Sequence, residues 1–393
     1  MSKVIELKRS IPVVREVDVL VVGGGTAGVP AALAAARLGA CTMLVEKFNS
    51  FGGAITWGLT ITLPAYPIVG AILNEILRRL SDKYGAVVQR KTEPRFVVFD
   101  QELYKYEALL MLEEAGVEML LDTLAVGAVV EDGSVAGVVV ENKGGAQAIR
   151  ARVTVDCTGD ADIASRAGAE TVTAPRDRLL PITLMWVAAN VDTTAPDATE
   201  SLNCLTTDVH KGELNVWGGS LSGIDATDAW QMTGAEIALR KQSVRDWLGK
   251  RANSRAWAES YIGFMAAHLG VRETRRLVGE HVVSAAEFGK ASYDDAIGTT
   301  TSDRQIPYRA LVPRQLNGLL VAGRCISTDA DVQHTIRIAP DCALFGEAAG
   351  TAAAICVRKG VQPRKLPASS LRRQLKKQGV HFGPLAELPK ALR

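Results

Sequence analysis

The sequence has little that would indicate a metal centre, a disulfide scaffold or a membrane span. Its six cysteines form no Cys-X-X-Cys pair and no spacing typical of zinc ligands, and its five histidines are scattered. No stretch reaches the roughly 18 consecutive apolar residues that a transmembrane helix needs. The N-terminal segment lacks the apolar core of a secretion signal. We therefore expect no metal, no disulfide, no membrane partner and a cytoplasmic location.

The chain also has no large excess of positive or of negative charge. The chain of 393 residues has a formal net charge of +2, with 45 Lys and Arg against 43 Asp and Glu. This balance gives no electrostatic reason to expect a nucleic acid or an anionic membrane as partner. Apolar residues make up 47% and charged residues 22%, which is typical of a globular protein, and the length predicts about two domains. A homo-oligomer is left open.

What the sequence does contain is a nucleotide-binding pattern between Val17 and Glu46. A buried strand, Val19 to Val22, runs into the glycines of a G-x-G-x-x-G turn, and an alanine-rich helix follows. The glycines allow a tight turn, backbone contact with a pyrophosphate and close helix packing. A second strand, Thr42 to Val45, ends at Glu46, where an acid accepts hydrogen bonds from a ribose. We therefore predict a dinucleotide site in a βαβ unit.

Later segments end in the same manner at glycines. A strand from Val153 to Cys157 enters Thr158-Gly159-Asp160, and a strand from Leu319 to Ala322 enters Gly323-Arg324. A helix is predicted to begin near Pro340 and Asp341 and to stop at Gly360. One stripe of this helix contains only small residues, which predicts close contact with strands or with a cofactor: Gly346, Ala349, Gly350 and Ala353.

The composition changes between residues 171 and 270. Threonine, proline and five of the six tryptophans occur there, and the last of the five, Trp257, lies in a helical pattern. The glycines from Gly218 to Gly223 follow no buried strand, so we do not predict a second nucleotide turn. We interpret residues 171–270 as an inserted α+β substrate domain. Residues 1–170 and 271–393 would then form a discontinuous α/β domain with a Rossmann-like parallel sheet, helices and a β-meander.

Taken together, these motifs resemble the FAD-dependent oxidoreductases whose flavin domain is of the glutathione-reductase type, in particular a small bacterial branch of that family. The resemblance rests on VVGGGTAGVPAA with Glu46, FGG at Phe51 to Gly53, VDCTGDADIASRAGA, RETRRLVGEH, IPYRALVP, and LLVAGRCIS followed by IRIAPDCALFGEAAGTAAA. It covers nearly the whole chain outside the insertion. It implies a non-covalently bound FAD and a flavoprotein fold.

The resemblance also implies which residues contact FAD. Pyrophosphate, ribose, adenine and flavin contacts are expected from Gly23, Gly25, Thr26, Ala27, Gly28, Glu46, Lys47, Gly52, Gly53, Ala54, Val126, Thr158, Gly159, Asp160, Gly323, Arg324, Cys342 and Ala343. The helix near Asp341 is expected to direct its positive end at flavin N1. The chain departs from the family in two places, with Ala330 at a common histidine position and Ala161 at a common glycine position.

Three side chains are candidates for catalysis. His334 and Arg337 precede the flavin-facing helix, where an imidazole suits proton removal and a guanidinium suits a carboxylate. The alternative for His334 is a hydrogen bond to nearby backbone. Tyr308 is a substrate contact or, by the alternative that we favour, a packed strand residue. The cysteines Cys325 and Cys342 are expected to be buried, inert thiols.

The sequence therefore predicts an FAD-dependent oxidoreductase, either a dehydrogenase or an oxidase, that moves a hydride between a small organic substrate and flavin N5. The absence of a second dinucleotide turn favours this over an NADPH-dependent reductase. A flavin monooxygenase and a reductase of an activated C=C bond are alternatives. An alternative of another class is a non-catalytic flavin-binding or RNA-modification partner, against which the near-neutral charge speaks.

Overall fold

The computed structural model describes residues 5, 8–64, 70–90, 96–200 and 203–387. Its strands, in chain order, are β1 (Val13–Val22), β2 (Thr42–Val45), β3 (Thr62–Pro64), β4 (Val87–Gln89), β5 (Phe96–Phe99), β6 (Glu118–Leu120), β7 (Leu124–Glu131), β8 (Ser134–Asn142), β9 (Gly145–Asp156), β10 (Thr171–Val172), β11 (Ile182–Ala189), β12 (Cys204–Thr206), β13 (Leu214–Leu221), β14 (Tyr261–Met265), β15 (Arg276–Leu277), β16 (Ala296–Thr299), β17 (Gln305–Pro307) and β18 (Leu319–Val321). Its α-helices are α1 (Gly28–Arg37), α2 (Ala71–Tyr84), α3 (Gln101–Glu114), α4 (Asp162–Arg166), α5 (Ala229–Asn253), α6 (Ala330–Ile336), α7 (Ala339–Lys359) and α8 (Ala368–Gln378).

A seven-stranded sheet forms the centre of the fold. Its strand order is β6-β2-β1-β9-β8-β7, and β18 pairs with β9 beside this path. The strands β6, β2, β1, β9 and β18 run parallel, whereas β7, β8 and the start of β9 form an antiparallel meander. The α/β class, the parallel sheet and the meander are confirmed.

The register of this sheet brings three glycine-containing turns to one edge. Val22 at the end of β1 lies beside Asp156 at the end of β9, and Asp156 lies beside Val321 at the end of β18. The chain therefore leaves the three strands at neighbouring points, next to Gly23, Cys157 and Ala322. In a parallel sheet this carboxyl edge is where ligands bind.

Helix α7 is almost completely buried and packs directly on α1. A methyl group on Gly346 would lie 1.9 Å from the carbonyl oxygen of Ala27, and one on Gly350 would lie 2.0 Å from that of Ala31. The two glycines of the predicted small-residue stripe thus face a helix backbone, which corrects the expectation that they face a strand or a cofactor. The close approach sets the start of α1 against Gly346 in the middle of α7.

Residues 171–270 contain a second, four-stranded antiparallel sheet in the order β12-β13-β11-β14. Helix α5 packs on this sheet through Ala235 and Leu239, beside Leu184 and Met185 of β11. Gly218 and Gly219 lie inside β13, so they belong to a strand and form no nucleotide turn. Within the described ranges, no helix combines the length and the apolar character needed to cross a bilayer.

Candidate functional site

A cavity of about 380 Å³ lies at the carboxyl edge of the central sheet. One side is formed by the three turns that follow β1, β9 and β18, and another by the first turn of α7. The four-stranded sheet contributes Thr183, Met185 and Trp217, and the segment after β14 contributes residues 268–272. The cavity therefore lies where the two sheets meet.

The first turn is built for a bound phosphate. A methyl group on Gly28 would lie 1.7 Å from the carbonyl oxygen of Gly23, so only glycine lets α1 start this close to β1. The backbone N–H groups of Gly25 and Ala27 have no acceptor among the described residues, and both residues line the cavity. Free N–H groups at a helix start attract an anion.

Glu46 closes the side of this turn. Its carboxylate accepts hydrogen bonds from the N–H of Gly24 at 2.5 Å and from the N–H of Phe48 at 3.0 Å. Burial raises the pKa of Glu46, although these backbone donors oppose the rise. The side chain lines the cavity at the end of β2, where the sequence predicts a ribose contact.

The second turn is shaped by the buried Asp156. Its carboxylate accepts hydrogen bonds from the backbone N–H and the hydroxyl of Thr158, and from the N–H groups of Ile163 and Ala164 at the start of α4. Burial raises the pKa of Asp156, which these four donors counteract. The turn that carries Gly159 and Asp160 is thereby held in place at the cavity.

Asp160 and Arg324 join the second and third turns. The Arg324 Nη2 atom lies 2.5 Å from Asp160 Oδ1, which also accepts a hydrogen bond from the hydroxyl of Thr274. Burial works to raise the pKa of Asp160, but Arg324 and Thr274 outweigh it, and the pKa is lowered. The Arg324 Nε atom is buried and has no hydrogen-bond partner among the residues that the structure describes, so this guanidinium has one unused donor there.

The family model of FAD-dependent oxidoreductases matches residues 18–215, 186–304 and 299–375, which is most of the chain. The chain belongs to this family. Membership establishes FAD as the cofactor and supports an enzyme over a non-catalytic flavin-binding protein. The residues present fit FAD, because free N–H groups start α1, Glu46 stands at the ribose position and the Arg324 Nε atom is unpartnered.

Curated relatives and solved structures agree with this assignment. A digeranylgeranylglycerophospholipid reductase of Thermoplasma volcanium is 27% identical over 196 residues, which cover 47% of this chain and 49% of the relative. The chain thus spans about half the length of that relative. A geranylgeranyl bacteriochlorophyll reductase-like protein of Thermoplasma acidophilum has a TM-score of 0.55 at 16% identity, covering 93% of this chain and 82% of its own. A p-nitrophenol 4-monooxygenase of Pseudomonas putida has a TM-score of 0.55 at 12% identity, covering 92% and 84%.

Most of the predicted cofactor residues line the cavity together. They are Gly23, Gly25, Thr26, Ala27, Glu46, Lys47, Gly53, Ala54, Thr158, Gly159, Asp160, Gly323, Arg324 and Cys342. The structure places four others outside the lining: Gly28, Gly52, Val126 and Ala343. At the start of β7 the lining residues are 123–125, one position earlier than predicted, and Val126 is exposed. Gly52 lies directly behind the lining, in a bridge with Gly25, and Gly28 lies against the carbonyl oxygen of Gly23.

The three catalytic candidates separate in the structure. Arg337 lines the cavity, whereas His334 and Tyr308 do not. His334 lies in α6, and its Nε2 atom is 3.1 Å from the buried carboxylate of Glu273, a partner that neither sequence hypothesis included. Tyr308 is buried in a short 3₁₀ helix and donates its hydroxyl hydrogen to the carbonyl of Pro363. Its contacts support the packing alternative, although in a 3₁₀ helix rather than in a strand.

The two cysteines considered in the sequence, Cys325 and Cys342, are buried and unpaired, and of these only Cys342 lines the cavity. Burial raises the pKa of Cys342 to about 12, and it also raises the pKa of Cys325. Both side chains therefore remain thiols near neutral pH, and thiols are poor nucleophiles. This agrees with their expected inertness.

Sequence reasoning missed the lining residues that come from the second sheet and its connection. Burial, assisted by Lys47 and Arg324, lowers the pKa of His268 to about 4, so its imidazole is neutral at pH 7. Arg272 follows four residues later and also lines the cavity. Arg272 is the first residue of the RETRRLVGEH motif that carries the family resemblance, and His268 lies four residues before it. Their position at this motif is the feature of the sequence that could have identified them.

Proposed function

We propose that this FAD-dependent oxidoreductase is a dehydrogenase or oxidase that binds a small organic substrate between the glycine turns and the four-stranded sheet. One observation carries the proposal: a single cavity is lined by the nucleotide turn at Gly25 and by Met185 and Trp217 of the second sheet. Residues 171–270 accordingly act as the substrate-binding part of the chain. When bound, FAD supplies the two-electron redox chemistry.

Helix α7 contributes an electrostatic effect at the cavity. It starts at Ala339, and both Ala339 and Cys342 line the cavity, so its positive end faces the bound molecules. The acid in its first turn, Asp341, points elsewhere, because its carboxyl accepts hydrogen bonds from the N–H and the hydroxyl of Thr301. The helix start therefore stabilises negative charge that develops in the cavity.

His268 is the proton acceptor that the cavity offers. Its imidazole is neutral near pH 7 because burial and two nearby cations lower its pKa to about 4. A neutral imidazole accepts a proton from a substrate hydroxyl or amine as hydride leaves the adjacent carbon. His334, in contrast, is engaged with Glu273 outside the lining.

Substitution of the two histidines tests this assignment. His268→Ala should slow reduction of the flavin by substrate by about 10²-fold, the lower end of the usual contribution of a general base, because a pKa of about 4 makes the imidazole a weak base. His334→Ala is the matched control and should leave this rate within a few-fold of wild type while FAD stays bound. Stopped-flow absorbance of the flavin under anaerobic conditions measures both rates. Equal rates for His268→Ala and wild type would remove His268 from the mechanism.

The substrate class and the direction of transfer are found by an anaerobic screen. Amino acids, hydroxy acids and sugars are mixed with the oxidised holoenzyme, and we expect one class to bleach the flavin absorbance. In a parallel experiment, the oxidised holoenzyme is mixed with NADPH to test whether NADPH reduces the flavin. Rapid bleaching by NADPH, with none by any organic compound, would overturn the dehydrogenase or oxidase proposal.

A reductase is the second candidate function. It is favoured by the 27% identity over 196 residues to a protein named as a digeranylgeranylglycerophospholipid reductase. For a reductase, enzyme reduced chemically beforehand should be reoxidised by a compound with an activated C=C bond faster than by buffer alone. A flavin monooxygenase would instead consume O₂ together with its organic substrate and incorporate one oxygen atom into the product.

A further inference from the structure

Two arginines of the cavity have no acidic partner. Arg272 and Arg337 both line it, and among the described residues no carboxylate lies within ion-pair distance of either guanidinium. Arg272 donates a hydrogen bond to the carbonyl oxygen of Pro181. The Arg337 Nε atom is buried and has no hydrogen-bond partner within the described part of the chain.

The remaining charges of the cavity are accounted for by other contacts. Arg324 is paired with Asp160, Asp162 is paired with Arg275, and Glu46 is held by backbone N–H groups. Lys47 lies at the end of the cavity next to Glu46, with its Nζ atom 5.1 Å from the centre of the Phe48 ring. The start of α1, Lys47 and the unpartnered Arg324 Nε atom would thus be the positive groups that hold the diphosphate of FAD.

Two guanidiniums that line one cavity repel each other, and an anion bound between them would remove this repulsion. Burial lowers the pKa of Arg337, the neighbouring Arg272 and Arg324 lower it further, and Cys342 and Glu273 oppose this only in part. Burial lowers the pKa of Arg272 as well. Arginine nevertheless stays protonated in proteins, so the repulsion persists until a negative group is bound.

We propose that Arg272 and Arg337 together bind an anionic oxygen group, a carboxylate or a phosphate, on the substrate. The inference rests on the proposed function, since it concerns the substrate of the same cavity. A guanidinium presents parallel N–H donors that match two oxygens of such a group. Arg272 approaches from the connection after the second sheet and Arg337 from the start of α7, so the anion would be fixed between the two parts of the chain.

The test is a titration of the oxidised holoenzyme, followed by the change in its visible flavin spectrum. The probes are benzoate, inorganic phosphate and benzamide, of which benzamide is the neutral counterpart of benzoate. We expect at least one anion to bind saturably and at least tenfold more tightly than benzamide. Arg272→Met and Arg337→Met should each weaken that binding by about 10–100-fold, the loss of a charge-assisted hydrogen bond.

Further variants make the result specific. Arg337→Lys keeps the charge but loses the paired donors, and it should recover part of the affinity. Arg245→Met, on the exposed face of α5, is the matched control and should bind as wild type does. The dissociation constant of FAD, measured by flavin fluorescence, should change by less than about threefold in Arg272→Met and Arg337→Met.

Each failure has its own meaning. Equal affinity for benzoate, phosphate and benzamide would overturn the anion site and leave the proposed function intact. Loss of FAD from Arg272→Met and Arg337→Met, with anion binding unchanged in refilled enzyme, would assign the guanidiniums to the cofactor and also overturn it. A holoenzyme that binds benzoate but is bleached by no organic compound would instead contradict the proposed function.

Discussion

Helix α7 and the nucleotide turn are joined through one glycine, and replacement of that glycine should affect both. Gly346 lies in the middle of α7 against Ala27, which lines the cavity at the start of α1. We expect Gly346→Ala to lower the free energy of unfolding and to weaken FAD binding. The physical reason is that an added methyl group would push the two helices apart at the residue that opens α1.

The size of the effect follows from the contact. The new Cβ atom would lie 1.9 Å from the carbonyl oxygen of Ala27 and 2.7 Å from its carbonyl carbon. Ordinary contacts begin near ~3.5 Å, so the helices must separate by roughly 1.5 Å. Overpacking of this kind costs about 1–3 kcal/mol, beyond the gain of about 1 kcal/mol that alanine has over glycine in a helix. FAD affinity should fall at least about tenfold, which corresponds to ~1.4 kcal/mol.

A matched control separates this contact from the general effect of alanine. Gly234 lies in the interior of α5, and a methyl group there would meet nothing within 4 Å. Gly234→Ala should therefore stabilise the protein by about 0.5–1 kcal/mol and leave FAD affinity unchanged. Unfolding by urea and flavin fluorescence measure the two quantities. If Gly346→Ala were as stable as Gly234→Ala and bound FAD as wild type does, the packing of α7 on α1 would be refuted.

Two further substitutions test buried groups. Burial raises the pKa of Asp341 to about 7, so its contribution to stability is complete below pH 3.8 and is lost as the pH rises through 7. Asp341→Asn keeps acceptor and donor atoms for Thr301. Between pH 4 and pH 8, the free energy of unfolding of this variant relative to wild type, measured in urea, should rise by on the order of 4 kcal/mol. A difference that does not change with pH would contradict the raised pKa. Tyr308→Phe removes the hydrogen bond to Pro363 and should cost about 1–2 kcal/mol, and slower flavin reduction in this variant would restore a catalytic role.

The parts of the site that were predictable depend on local spacing. The glycine turn, α1 and β2 were placed correctly, because each glycine meets a steric demand set by residues within one βαβ unit. The cap of α3 is equally local, since the Asp100 carboxylate accepts hydrogen bonds from the N–H groups of Glu102 and Leu103. Contacts between residues that are close in the chain can therefore be predicted from the sequence.

The side of the cavity that the four-stranded sheet and the segment after β14 form could not be predicted in this way. Thr183, Met185 and His268 come from segments more than 100 residues away from the nucleotide turn, and their position depends on how the second sheet packs. His334 shows the limit of reasoning from chain position. It does precede α7, but the short helix α6 directs its imidazole at Glu273 and away from the cavity. The position of His334 around the axis of α6 determines which way its imidazole points. That position could not be read from the residues next to His334 in the sequence.

The long strand β9 explains how one edge of the sheet can hold a complete cofactor site. Its first half pairs with β8 of the meander, through Gly145 to Arg150, and its last three residues pair with β18 on the same side. Its other side pairs with β1 from Ala148 to Asp156. A meander strand that stopped at Arg150 would leave β18 without a neighbour and Gly323 far from Gly23. The 12-residue length of β9 is therefore what brings the C-terminal Gly323 and Arg324 back to a turn formed some 300 residues earlier.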